Sequence, residues 1–248
     1  MSPSPAASLL TADPSTLAGR CVLLAGATGA VGTALLDRLV ALGARPAVAV
    51  RKSWQVQGIE ARIGAAAGLV GVVPTGDGEA AAGFVKGAQD SLGAIEAFVS
   101  TAGSFRAAEI GRDRGGDDQE LFDANFRGTH TLLRAVVGGM RRRRRGAIVL
   151  TGALAVGRAG PGIALYAATK AALHEYARVL AAEVGADGVG LALLAPGTID
   201  TEANRRAMPD ADRRAWIPVE VLVDALLGAA AGAAPVAAVD PCFTLAEA

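Results

Sequence analysis

Residues that bind metals or form disulfides are scarce in this sequence. It contains two cysteines, Cys21 and Cys242, near opposite ends, and two histidines, His130 and His174. Neither spacing makes a disulfide framework or a metal-ligand set, so no metal is expected. Aromatics make up 4% of the chain, so Ala, Val, Leu and Gly must build the interior. Formal net charge is zero. A chain without a basic excess is not expected to bind nucleic acid or an anionic membrane surface. The run Arg141 to Arg145 is a local exception and reads as a solvated helix end, where Arg complements the macrodipole. No apolar stretch reaches membrane-spanning length. The first residues lack a basic region followed by an apolar core, so no secretory signal is expected and the cytoplasm is the expected location. Residues 1–17, rich in Ser, Pro and Ala, read as a flexible tail, with a single domain over 18–248.

What is abundant is small and apolar: 52% of residues are hydrophobic and 32 are glycine. Short apolar runs recur between longer helical patterns. Cys21–Ala25, Ala47–Val50, Leu69–Val73, Ile95–Val99, Ala147–Leu150 and Gly190–Leu194 read as buried strands, with Val236–Val239 as a short last one. Helices are expected over Thr33–Leu42, Gly78–Leu92, Asp117–Met140, from before Tyr166 to about Glu183, and over Val219–Ala231. Residues 104–116 read as a surface loop. Alternating strands and helices predict an α/β fold, a doubly wound parallel sheet in three layers.

The glycines have a pattern. Gly26-Ala27-Thr28-Gly29-Ala30-Val31-Gly32 lies between the first strand and the first helix. Such glycines permit a tight turn, let a pyrophosphate approach the backbone and aim a helix N-terminus at negative charge. This is the context of a dinucleotide-binding Rossmann unit. The second strand ends at Arg51-Lys52, where a basic residue accommodates the 2′-phosphate of NADP and an acidic one would select NAD. NADP(H) is therefore expected over NAD(H). At the end of the fourth strand, Thr101-Ala102-Gly103 is small enough for a ligand to lie along its backbone.

Tyr166 and Lys170 are four residues apart in an Ala-rich helix, so both project from one face. An ammonium beside a phenol is expected to lower the tyrosine pKa towards the range of a working proton donor. An isolated Tyr-x-x-x-Lys is more often accidental, and its context decides.

The ordered set resembles the short-chain dehydrogenase/reductase family from about residue 18 onwards. The set is the turn Gly26–Gly32, Thr101-Ala102-Gly103 where that family usually has Asn-Ala-Gly, Asn125 in a long helix, Tyr166-x-x-x-Lys170, and Pro196-Gly197-Thr198-Ile199-x-Thr201. The resemblance implies a Rossmann-fold, NAD(P)H-dependent oxidoreductase that moves hydride to or from a small carbonyl, alcohol or conjugated substrate. It makes Tyr166 the general acid/base, Lys170 its electrostatic partner and ribose ligand, and Asn125 the holder of a relay water. It places Ala102 and Gly103 along the cofactor and Pro196, Gly197, Thr198 and Ile199 at its nicotinamide end. It also implies a homodimer or homotetramer. The stretch from Ile199 to Arg205, together with Met208–Asp212, Trp216 and Pro218, is similar to the dihydropteridine-reductase-like branch.

Two departures stand out. The family places a serine thirteen residues before the tyrosine, which here is Ala153, with Gly152 beside it. Thr151 is the nearest hydroxyl and would need a bulge to serve instead. Pro74 stands where many members carry an Asp that contacts adenine. The alternative expectation is therefore a nucleotide-binding or regulatory protein whose catalysis is impaired.

Overall fold

The computed structural model describes residues 12–112, 115–158, 160–232 and 242–245. Seven parallel strands form one sheet: β1 (Cys21–Ala25), β2 (Arg45–Val50), β3 (Leu69–Val72), β4 (Ile95–Ser100), β5 (Gly146–Thr151), β6 (Val189–Pro196) and β9 (Cys242–Leu245). A separate two-stranded ribbon pairs β7 (Ile199–Asp200) with β8 (Ile217–Pro218). The large sheet runs β3-β2-β1-β4-β5-β6-β9. Val236–Val239, expected as the last strand, lie outside the described residues.

Strands β1, β2, β4, β5 and β6 are buried on both faces almost throughout, which explains why they are apolar without alternation. All five residues of β1 and all eight of β6 are buried. Helices α1 (Ala30–Ala41), α2 (Val56–Ile63) and α8 (Val219–Ala231) cover one face, with Leu35, Leu36, Leu39, Ile59, Ile63 and Leu226 in its core. Helices α3 (Gly78–Leu92), α5 (Gly128–Arg143) and α6 (Ala164–Gly185) cover the other, packing Val85, Leu133, Met140, Leu173 and Val184. Each such Leu or Val contributes about 1.5–3 kcal/mol by leaving water. The three-layer doubly wound architecture is the one expected.

Several boundaries differ from expectation for local reasons. Leu17, placed in the tail, is fully buried. It ends a 3-10 turn over Pro14–Leu17, with the Asp13 side chain accepting from Ser15 N at its start. Helix α1 begins at Ala30 rather than Thr33, so the glycine turn runs directly into its first turn. Helix α2 was not expected: only Ile59 and Ile63 of its residues are buried, too weak a periodicity to see. The stretch expected as one helix over Asp117–Met140 is α4 (Asp117–Phe122), a π-helical turn over Asp123–Arg127, and α5. Asn125 lies inside that π turn, an irregularity that no propensity announces.

The Arg141–Arg145 run is largely tied down. Arg141 pairs with Asp187, Arg143 donates to the Ile95 carbonyl, Arg144 donates to the Ala186 carbonyl and Arg145 pairs with Glu96. These contacts pin the end of α5 to the starts of β4 and β6.

Candidate active site

The strand order reverses between β1 and β4, the switch point at which open α/β sheets bind ligands. There the turn after β1 meets the segment after β4. Gly26 has a φ of +87°, and a Cβ on it would lie 2.5 Å from Ala102 N. A Cβ on Gly32 would lie 2.0 Å from the Gly26 carbonyl oxygen. Both positions therefore require glycine. Gly29 meets nothing nearer than 3.7 Å, so its missing side chain leaves open space in front of the α1 N-terminus. No side chain caps that terminus, and its N–H groups face an approaching anion. Ala30, where the commoner family spacing has glycine, is exposed and starts the helix without conflict.

A solvent-open cleft of about 850 Å³ follows this edge. Gly26, Thr28, Gly29, Arg51, Ala102 and Gly103 line it. Lys52 lines the adjoining groove with Arg51 and Pro74. Ala30, Val31 and Gly32 do not line the cleft. Gln55 is a lining residue that sequence reasoning missed: its Oε1 accepts from Arg51 N at 3.1 Å and Lys52 N at 3.0 Å, fixing the end of β2. A glutamine five residues past a strand gives no signal in sequence.

Gly103 joins the cleft to the Tyr166 helix. A Cβ there would lie 2.9 Å from Asn125 Oδ1 and 3.2 Å from Lys170 Nζ. Three segments far apart in sequence thus converge on one glycine. Lys170 is buried and donates to the Thr151 carbonyl at 3.0 Å. Burial lowers its pKa to about 8, because desolvation disfavours the charged ammonium. Tyr166 is half-buried, and desolvation raises its pKa above the ordinary tyrosine value. The expected lowering by Lys170 is therefore corrected: the ammonium is directed to the Thr151 carbonyl, and the cost of burying phenolate dominates. The phenol holds its proton at neutral pH.

Asn125 is fully buried. Its Oδ1 accepts from Ser104 N at 2.9 Å, while Nδ2 donates to the Ser104 carbonyl at 3.1 Å and to Thr169 Oγ1 at 2.9 Å. Both amide protons are used, and the side chain braces the segment after β4. At the serine position, the Ala153 N–H donates to His174 Nε2 at 3.1 Å, and a Cβ on Gly152 would overlap that ring. Thr151 stays in regular register opposite Leu194, without the bulge needed to bring it to the serine position. Its Oγ1 is buried and has no hydrogen-bond partner among the described residues. Pro196 and Ile199 are held by backbone bonds: the Pro196 carbonyl accepts from Leu154 N, and the Ile199 carbonyl from Thr201 N and Asn204 Nδ2. The Thr198 carbonyl accepts from Ile217 N. None of the residues from Pro196 to Ile199 lines the cleft found here. Trp216 lies under the Arg213 guanidinium, 5.7 Å from its ring centre.

Among the described residues, no group of three or more His, Cys, Asp or Glu is placed to hold a metal, and no helix is long and apolar enough to cross a membrane.

Comparison with known proteins agrees with this geometry. Residues 20–212 match the family model for short chain dehydrogenase. The 3-oxoacyl-[acyl-carrier-protein] reductase FabG of Pseudomonas aeruginosa is 31% identical over 211 residues, 82% of each chain. A Xanthobacter autotrophicus protein named inactive 2-(S)-hydroxypropyl-CoM dehydrogenase 2 is 34% identical, over 70% of this chain and 76% of that one. A solved short chain dehydrogenase/reductase family protein superposes with a TM-score of 0.78 at 30% identity, covering 93% of this chain and 96% of its own. An oxidoreductase of that family from Burkholderia thailandensis gives a TM-score of 0.77 at 28% identity, covering 92% and 91%. The chain belongs to the short-chain dehydrogenase/reductase family, with the Rossmann fold and a nicotinamide-dependent oxidoreductase lineage.

Proposed function

We propose that this chain is an NADP(H)-dependent oxidoreductase in which Tyr166 exchanges a proton with the substrate oxygen. The observation that carries it is the convergence at Gly103, where the end of the cleft meets Lys170 Nζ and Asn125 Oδ1. The residues present fit the cofactor. Gly26 and Gly32 leave no room for a side chain, Gly29 leaves room for a ligand, and the uncapped α1 terminus suits a pyrophosphate. Arg51 and Lys52 stand exposed at the adenosine end and would hold a 2′-phosphate. The nicotinamide supplies or accepts the hydride when bound.

In the reducing direction Tyr166, protonated at neutral pH, gives its proton to the developing alkoxide. Lys170 Nζ, one helical turn from Tyr166 on the same helix, stabilises the phenolate left behind. Asn125 keeps Ser104, and through it Gly103, in place. Residues 196–199 stand as the proposed contact for the nicotinamide end. Titration with NADPH and NADH tests the cofactor assignment, with NADPH expected to bind more tightly. NADPH oxidation assayed over carbonyl, 3-oxoacyl thioester and conjugated substrates, quinonoid pteridines included, tests the reaction. Tyr166→Phe is expected to lower kcat by about 10²–10⁴ while leaving NADPH affinity unchanged; intact turnover in that variant refutes the mechanism.

A second proposal is favoured by a specific observation. Neither Gly152 nor Ala153 offers a hydroxyl, Thr151 stays in register, and one relative is named as inactive. On that account the chain binds nucleotide without efficient turnover. NADPH binding with no oxidation of any substrate in the panel would select it.

We also place the chain as a soluble homodimer or homotetramer in the cytoplasm. Phe126 of the π turn stacks on His130 of α5, and both meet Tyr176 of α6 edge-to-face, while Phe122 and Val179 are exposed on α4 and α6. Sedimentation of the purified chain distinguishes these assemblies from a monomer.

A further inference from the structure

Phe105 lies two residues beyond Gly103, on the segment that follows β4. The residue is 59% exposed. Yet it packs edge-to-face on Tyr166, with ring centres 4.9 Å apart and planes at 75°. Its neighbours do not let it swing freely. Ser104 is held by the Asn125 amide at both its N–H and its carbonyl. Arg106 is held by Asp117, itself buried, and by Glu120. The Ala108 N–H donates to the Gly162 carbonyl at 2.7 Å. An apolar ring is thus presented to solvent on an anchored segment, in contact with the residue proposed to handle the substrate proton.

The hydroxyl-poor strand end that Lys170 bonds to gives this ring a purpose. Gly152 and Ala153 supply no side-chain donor, and the Thr151 hydroxyl is buried. A carbonyl at Tyr166 lacks the second hydrogen bond that would fix its angle. A flat, conjugated group attached to the carbonyl would fix that angle by lying on Phe105, with ring centres in the 4.5–7 Å range of aromatic pairs. We propose that Phe105 is a specificity-determining residue that selects substrates bearing an aromatic or conjugated planar group next to the reacting carbon. This rests on the assignment of Tyr166 as the proton-transfer residue.

The test compares two methyl ketones of similar size, acetophenone and cyclohexyl methyl ketone, by ligand-observed NMR titration. The protein is titrated both with saturating NADP+, which prevents reduction, and without it. Wild type is expected to bind the aryl ketone about three- to tenfold more tightly, the range one aromatic contact contributes. Phe105→Ala is expected to erase that preference, and Phe105→Trp to keep it. Equal affinities in wild type, no binding of either ketone, or a preference that survives Phe105→Ala overturns the proposal. A separate NADPH titration of each variant reports on the fold and the cleft. Failure of that titration in wild type counts against the oxidoreductase assignment and not against Phe105, whose ketone preference is read without cofactor as well.

Discussion

The two halves of the candidate site are built by different means. The cleft at the β1–α1 turn is defined by backbone: Gly26 and Gly32 work by having no side chain, and the α1 terminus offers main-chain N–H groups. The Tyr166 half is defined by buried polar side chains. Asn125, Thr169 and Lys170 are each 5% exposed or less and are bonded to one another's surroundings. A backbone site tolerates drift at most positions and fails abruptly at a few. A buried polar site carries a standing desolvation cost at each group, offset only while the partners stay in place.

The sharpest way to break that contrast is at the turn. Gly32→Val is expected to abolish measurable NADPH binding and to cost about 3 kcal/mol or more in stability, because the new side chain meets the Gly26 carbonyl in a packed interior. Gly29→Ala, whose Cβ has room, is expected to change NADPH affinity only a few-fold. Calorimetric titration with parallel thermal melts separates the two. Equal effects at Gly29 and Gly32 would mean the cleft is not backbone-defined.

The next effect is on the polar half. Asn125→Ala removes three hydrogen bonds from a fully buried site. It is expected to cost about 2–4 kcal/mol in urea unfolding, since both Ser104 backbone groups lose their partner. A loss under 1 kcal/mol would show that water replaces the amide.

The smallest effect has the opposite sign. Lys170 has its pKa lowered on folding from 10.5 to about 8. The unfolded chain therefore binds more protons between those two pH values, so this group makes stability rise as pH climbs through that window. Below it, the buried charge is a cost. Lys170→Met is expected to stabilise the fold by about 1–2 kcal/mol at pH 7, after the lost bond to the Thr151 carbonyl is discounted. It should also flatten the alkaline rise while removing turnover. Melting curves between pH 7 and 10.5 check this, and a destabilised Lys170→Met would show that the hydrogen bond outweighs desolvation.

Much of this molecule was legible in its sequence. The buried parallel strands show as continuous apolar runs because both faces are covered, and their alternation with helices fixed the layer order. The turn Gly26–Gly32 and the pair Tyr166/Lys170 are local patterns, with spacings set by one turn or one helical repeat. Helix α2 was missed because two buried residues in eight make a faint periodicity. Gln55 was missed because its role is a pair of backbone contacts that only the folded loop creates.

What the tertiary structure alone decided is electrostatic and geometric. Sequence places an ammonium one helical turn from a phenol. Only the packed fold shows that burial raises Tyr166 and that Lys170 turns to the Thr151 carbonyl. Sequence shows Ala153 in place of a serine. Only the fold shows that Thr151 keeps its register and buries its hydroxyl, and that Phe105 stands against the Tyr166 ring. The division has one physical reason. Backbone turns and periodic faces are set by near neighbours along the chain, whereas desolvation and side-chain contact depend on residues that are distant in sequence and meet only after folding.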